Sequence, residues 1–270
     1  QQIIPRRLEP PDRSFFLSGP RGTGKSTWLG QVLPEALRLD LLDASLFLEL
    51  SQNPHVLEAL IGPRPGGRWV VLDEIQKVPS LLDEVHRLME SRRWRFALCG
   101  SSARKLKRGG ANLLAGRALT LSMEGFSRAE LGDAFDLDFG LDWGMLPFVW
   151  NERDAAADIL AAYANTYLRE EIQAEGLIRN VPPFLRFLGV AGQINGQVLN
   201  ALNIAREAAV GRSTVETYLS ILVDTLVGHY LPTWRPGLKV REAAHPKFYW
   251  FEPGVARAAA GLLRDPADRL

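Results

Sequence analysis

Gly19-Pro20-Arg21-Gly22-Thr23-Gly24-Lys25-Ser26-Thr27 lies between an apolar run, Ser14-Phe15-Phe16-Leu17, and a segment of helical character. A loop whose backbone N–H groups converge on phosphate oxygens has no room for bulky side chains, and Gly22 and Gly24 supply that freedom. The spacing Gly19-x4-Gly24-Lys25-Ser26 therefore predicts a cradle for a nucleoside triphosphate, formed by residues 19–27. Lys25 is expected at the β- and γ-phosphates, Ser26 on Mg²⁺, and Thr27 facing the α-phosphate. The helix opening at Lys25 adds the positive end of its dipole.

Working outward, short apolar runs alternate with helical segments, the order that builds a parallel sheet with crossover helices. Strands are expected at Ser14–Leu17, Leu37–Leu41, Trp69–Leu72, Trp94–Leu98 and Ala118–Leu121. Trp69-Val70-Val71-Leu72 is too apolar for a surface strand and suits a sheet covered on both faces. Helices are expected after Asp43, which offers an N-cap, from Asn53-Pro54 to Ile61, and over Pro79–Ser91.

Val70-Val71-Leu72 ends in Asp73-Glu74, two carboxylates at the end of a buried strand. Asp73 is expected beside Mg²⁺, and Glu74 is the candidate base that orients or deprotonates an attacking water. Cys99-Gly100-Ser101-Ser102 ends another strand, so either serine is placed to sense a γ-phosphate or to cap the following Ala103–Arg108 segment. Arg117, just ahead of the last strand, has two readings as well. It either stabilises charge on the transferred phosphoryl group or forms a surface salt bridge.

The rest of the composition narrows the function. A net charge of +1 gives no general attraction to nucleic acid or acidic lipid. One cysteine, Cys99, excludes an internal disulfide and a multi-cysteine zinc site, and its apolar neighbours predict burial. His55, His86, His229 and His245 lack ligand spacing. The apolar runs are strand-sized and the N-terminal stretch carries Arg6, Arg7 and Glu9, so no membrane association and a cytoplasmic location are expected.

From Phe126 onward the pattern changes to helices, at Ser127–Leu131 and Arg153–Glu175, read as a lid. Further helices are expected at Phe184–Ala191, Val198–Ala208 and Ser213–Val223, with a turn at Val210-Gly211-Arg212. Strand-like His229–Trp234 and Lys247–Phe251 then flank a polar hairpin, an order that suggests a winged helix. The expected division is a core at 1–125, a lid at 126–180 and a winged-helix-like domain at 181–270. Arg206, Arg212, Arg235, Lys239 and Arg241 offer phosphate contacts, while Glu207 and Glu216 oppose them, leaving DNA and protein open as partners.

These motifs together resemble the prokaryotic AAA-type P-loop ATPases that carry a C-terminal domain of unknown function. The likeness runs through Leu72-Asp73-Glu74-Ile75-Gln76-Lys77-Val78-Pro79, Leu114-Ala115-Gly116-Arg117 and Gly144-Met145-Leu146-Pro147. It continues at Tyr167-Leu168-Arg169-Glu170-Glu171 and Pro246-Lys247-Phe248-Tyr249-Trp250-Phe251. The resemblance implies a three-layer αβα fold on a five-stranded parallel sheet, ATP and Mg²⁺ as ligands, Glu74 as catalytic base, and a serine of Ser101-Ser102 as sensor. It implies Arg117 as a finger acting on a neighbouring subunit, hence a homo-oligomer. Two activities fit: ATP hydrolysis driving lid and winged-helix movement, on DNA for instance, or a slow switch that assembles with protein partners. Glu252 departs from the Asp usual in such relatives. No acidic-and-lysine constellation follows it before Leu270, so nuclease chemistry is not expected from these residues.

Overall fold

The computed structural model describes residues 3–63, 68–101, 117–168, 178, 180–234 and 245–264. They form two compact units, one of residues 4–124 and the other of residues 125–270 with the extreme N-terminus.

The first unit is built on strands β1 (Phe15–Ser18), β2 (Leu37–Asp40), β3 (Trp69–Asp73), β4 (Arg95–Gly100) and β5 (Leu119–Ser122). All the pairings are parallel, in the order β2-β3-β4-β1-β5. Side chains alternate across a strand, and in β1, β3 and β4 both faces are apolar. Phe16, Val70, Leu72, Phe96 and Leu98 enter one cluster with α2 (Ala44–Gln52), α3 (Val56–Ile61) and α4 (Leu81–Arg92). Phe15, Leu17, Val71, Ala97 and Cys99 enter another with Trp28 and Leu29 of α1 (Lys25–Val32). The result is the expected α/β P-loop fold with its sheet between helical layers. Asp43 caps α2 as expected, its carboxylate accepting from the Ser45 and Leu46 amides. Cys99 is fully buried, and burial pushes its thiol up, which leaves it inert as a nucleophile.

The second unit is mainly helical. Short helices α5 (Arg128–Leu131), α6 (Leu137–Trp143), α7 (Pro147–Asn151) and α8 (Ala156–Ala162) lead to a π-helical turn at Tyr163–Leu168. The stretch expected as one helix over Arg153–Glu175 is helical from Arg153 to Leu168, as a 3₁₀ turn, α8 and the π-helical turn in succession, and residues 169–177 lie outside the described residues. Helix α9 (Val181–Gln193) starts three residues before the expected Phe184, because Pro182 and Pro183 occupy its first turn, where no amide donor is needed. Helix α10 (Ala201–Glu207) starts later than the expected Val198, since the Asn200 side chain caps the Leu202 and Asn203 amides. Helix α11 (Arg212–Asp224) precedes an antiparallel pair, β6 (Gly228–Leu231) and β7 (Lys247–Trp250).

Helix α12 (Pro253–Ala260) was not anticipated from the sequence. It packs so closely on α9 that a Cβ at Gly192 would collide with the Ala256 carbonyl and Ala260. One hydrophobic cluster joins Leu146, Val149 and Leu160 to Phe187, Leu222, Phe248 and Val255. Glu252, buried at the start of α12, accepts from the Met145 amide at 2.8 Å, and its carboxylate fills the space beside Gly125 and Gly144. That contact gives the residue at this departure a structural task. No helix among the described residues is long and apolar enough to cross a membrane.

Candidate functional site

Parallel strands deliver their following loops to one edge of the sheet, and three of those loops build the site. The first, Gly19–Gly24, leaves β1. Gly22 and Gly24 both have φ 86°, a left-handed conformation that favours glycine and turns the backbone tightly before α1. Gly19 runs against the Met123 carbonyl, so that any Cβ there would clash. The buried Thr23 hydroxyl donates to the Pro20 carbonyl at 2.9 Å, closing the loop across its base. Lys25, at the first position of α1, is buried, and its ammonium donates to the carbonyls of Gly19 at 2.7 Å and Pro20 at 2.9 Å. Arg21, Ser26 and Thr27 are exposed on the same loop and helix start.

The second loop leaves β3, which is separated from β1 by β4 alone. The Ser26 hydroxyl donates to Asp73 Oδ2 at 2.6 Å, although the two residues belong to different strand–loop units. A hydroxyl and a carboxylate converging in this way are hard oxygen donors, the kind that takes Mg²⁺ with water and phosphate completing the shell. Among the described residues no group of three or more His, Cys, Asp or Glu is arranged to hold a metal ion, so a cation here would depend on that mixed set. Glu74 follows with φ 57° and ψ 39°, an uncommon conformation for a residue with a side chain, and its amide donates to Asp73 Oδ1 at 3.0 Å. This kink starts the 3₁₀ turn Ile75–Lys77, which carries the buried Gln76.

The third loop leaves β4. Ser101 is buried, and its Oγ accepts from Gln76 Nε2 at 3.1 Å, while the same nitrogen donates to Glu74 Oε2. Ser102 lies outside the described residues, as do Leu114-Ala115-Gly116. The structure therefore gathers Gly19, Pro20, Gly22, Thr23, Gly24, Lys25, Ser26, Asp73, Glu74 and Ser101 at one edge.

Arg117 is not among them. β1 and β5 are parallel with Phe15 opposite Leu119, so the loop leaves one end of β1 while Arg117 precedes the other end of β5. In its own chain Arg117 Nε donates to Glu90 Oε1 of α4 at 2.5 Å, a half-exposed pair. Gln76 stood inside the quoted Asp73-Glu74 motif without an assignment. No local signal singled it out, since Glu74 and Lys77 around it are polar as well.

Comparison with known proteins agrees with this geometry. Residues 11–132 match a family model described as AAA domain, and residues 135–265 match one described as domain of unknown function (DUF8612). The chain thus carries an AAA domain of P-loop fold followed by a mainly helical domain of unknown function. No curated protein matches it. Solved structures give distant likenesses. The Orc1 protein of Aeropyrum pernix in complex with DNA is 13% identical, with 96% of this chain and 88% of that one covered at a TM-score of 0.40. The Pif1 helicase of Candida albicans is 15% identical, covering 62% and 51% at 0.28. A signal-transduction ATPase with numerous domains from Pyrococcus horikoshii is 13% identical, covering 96% and 41% at 0.28.

Proposed function

We propose that the first unit binds ATP with Mg²⁺ and hydrolyses it to ADP and phosphate. The observation that carries this reading is the 2.6 Å contact between Ser26 on the glycine loop and Asp73 at the end of β3. It brings the phosphate cradle and the acidic strand end to one point. Residues 19–27 would hold the phosphates through backbone amides, with the Lys25 ammonium exchanging its two loop carbonyls for β- and γ-phosphate oxygens. Ser26 and Asp73 would hold Mg²⁺, which neutralises phosphate charge. Glu74 would orient the water. Its oxygen bonds to the γ-phosphorus, the bond to the β–γ bridging oxygen breaks with its electron pair leaving on ADP, and the water's proton passes through the Glu74 carboxylate to the phosphate. Ser101, or its neighbour Ser102, would sense the γ-phosphate.

The proposal extends to assembly. Arg117 lies just ahead of β5, at the sheet edge away from the loop of its own chain, so its guanidinium would act on the nucleotide of a neighbouring subunit in a homo-oligomer. We place the core at residues 1–125 and take the lid segment, 126–180, and the winged-helix-like segment, 181–270, to respond to nucleotide together, because one cluster of buried side chains ties them. Duplex DNA is the partner suggested by the α10–turn–α11–hairpin order. Against it, Arg212 is paired with Glu216 at 3.0 Å, which favours the alternative of a slow switch that assembles with protein partners. Arg235, Lys239 and Arg241 lie outside the described residues.

The test is Glu74→Gln. We expect ATP binding to persist and turnover to fall at least tenfold, by the usual worth of a positioned base. A wild-type rate in that variant would refute the assignment.

A further inference from the structure

Gln76 sits between the two strand ends that the proposed chemistry uses. Its Nε2 carries two hydrogens, and both are spent at the site: one on Glu74 Oε2, the other on Ser101 Oγ at 3.1 Å. The side chain is only 5% exposed. Its Oε1 is buried with no hydrogen-bond partner among the described residues. A buried acceptor without a donor is costly, and an apolar side chain of the same length would fill the space without that cost. The amide is therefore held for what its donor end does. Local backbone supports the same placement. The left-handed conformation of Glu74 folds the turn back across the sheet edge, and Gly100 leaves the room that the carboxamide fills, since a Cβ there would collide with Gln76 Oε1.

We propose that Gln76 is the positioning residue of this ATPase site, holding the Glu74 carboxylate in register with Ser101 so that the base answers to the γ-phosphate. The inference rests on the hydrolytic reading above and deepens it. When Ser101 donates its hydroxyl hydrogen to a γ-phosphate oxygen, it still accepts from Gln76, and Gln76 still donates to Glu74. Hydrogen bonds linked in this way polarise one another, so occupancy of the γ-position strengthens the hold on the base. ADP, lacking that phosphate, does not engage the chain. Gln76 itself touches no reacting atom.

The experiment uses the full chain and Gln76→Met, which keeps length and volume but removes both donors. ATP affinity, read with a fluorescent ATP analogue and Mg²⁺, should stay within about threefold of wild type, and KM with it, while kcat falls about tenfold or more. Joined to Glu74→Gln, it should cost little further, because the two side chains act as a unit. A kcat within twofold of wild type, or losses that multiply in the double variant, would overturn the proposal. A second measurement needs no variant to fold. The Gln76 side-chain amide resonances of the wild-type protein should move with Mg²⁺ and a non-hydrolysable ATP analogue, and move much less with Mg²⁺ and ADP. Equal shifts, or none, would also overturn it. If the wild-type protein itself turns over no ATP, it is the hydrolytic reading that has failed instead.

Discussion

Replacing Lys25 by Met removes one charge and keeps the buried stem. In the free protein the ammonium is held by the Gly19 and Pro20 carbonyls at 2.7 and 2.9 Å. Two phosphate groups of about one charge each, near 4 Å away at an effective dielectric constant of about 20, attract it by about 8 kcal/mol in total. Giving up two hydrogen bonds to a charged donor costs roughly 3–6 kcal/mol. At the high end of that cost about 2 kcal/mol remains, which corresponds to roughly thirtyfold in affinity. Lys25→Met should therefore raise the Kd for Mg²⁺–ATP about thirtyfold or more, read by titration with a fluorescent ATP analogue. Circular dichroism should show the variant folded, since the helix and sheet contacts around the stem survive. A folded variant whose Kd lies within threefold of wild type would refute the assignment of this ammonium to the phosphates.

Two other outcomes follow from the geometry. Protein carrying Arg117→Ala and protein carrying Glu74→Gln should each be nearly inactive, and mixing them should restore part of the turnover at interfaces that pair an intact arginine with an intact base; no recovery would place Arg117 outside the reaction. Glu84 is buried and accepts from Arg87 Nε at 3.0 Å, from Arg87 Nη2 at 2.5 Å and from His55 Nδ1 at 3.0 Å. Those contacts, the Arg87 bonds first, lower its pKa from 4.5. Its contribution to stability is therefore complete above pH 4.5 and lost as pH falls through the lowered value. Glu84→Gln should destabilise the fold by about 1–2 kcal/mol at neutral pH, discounted for the half-exposed Arg87, and the gap to wild type should close in acid denaturation. A gap that persists unchanged at pH 2–3, roughly two units below the ordinary carboxylate range, would contradict this.

Much of the first unit was legible because its signals are local. Phe15-Phe16-Leu17 and Val70-Val71-Leu72 are apolar at every position, which only a strand covered on both faces tolerates. Gly22 and Gly24 announce the left-handed turns that the structure contains. The second unit was less readable. Pro182-Pro183 stands ahead of the helix expected from Phe184 and is instead in the first turn of α9, since the same residue type ends a helix or opens one according to position. Helix α12 has a small-residue run, Val255-Ala256-Arg257-Ala258-Ala259-Ala260, whose meaning depends on Gly192 of α9 lying against it. Contacts between residues far apart in sequence leave no periodicity to find. The same holds for Gln76, whose bond to Ser101 depends on β3 and β4 lying side by side.

Calorimetric titration of the folded full chain with ATP in the presence of Mg²⁺ bears most directly on the phosphate cradle. One molecule should bind per chain, with an affinity that falls about thirtyfold or more in Lys25→Met. Absence of any binding heat for every purine nucleoside triphosphate, in protein shown to be folded, would contradict it.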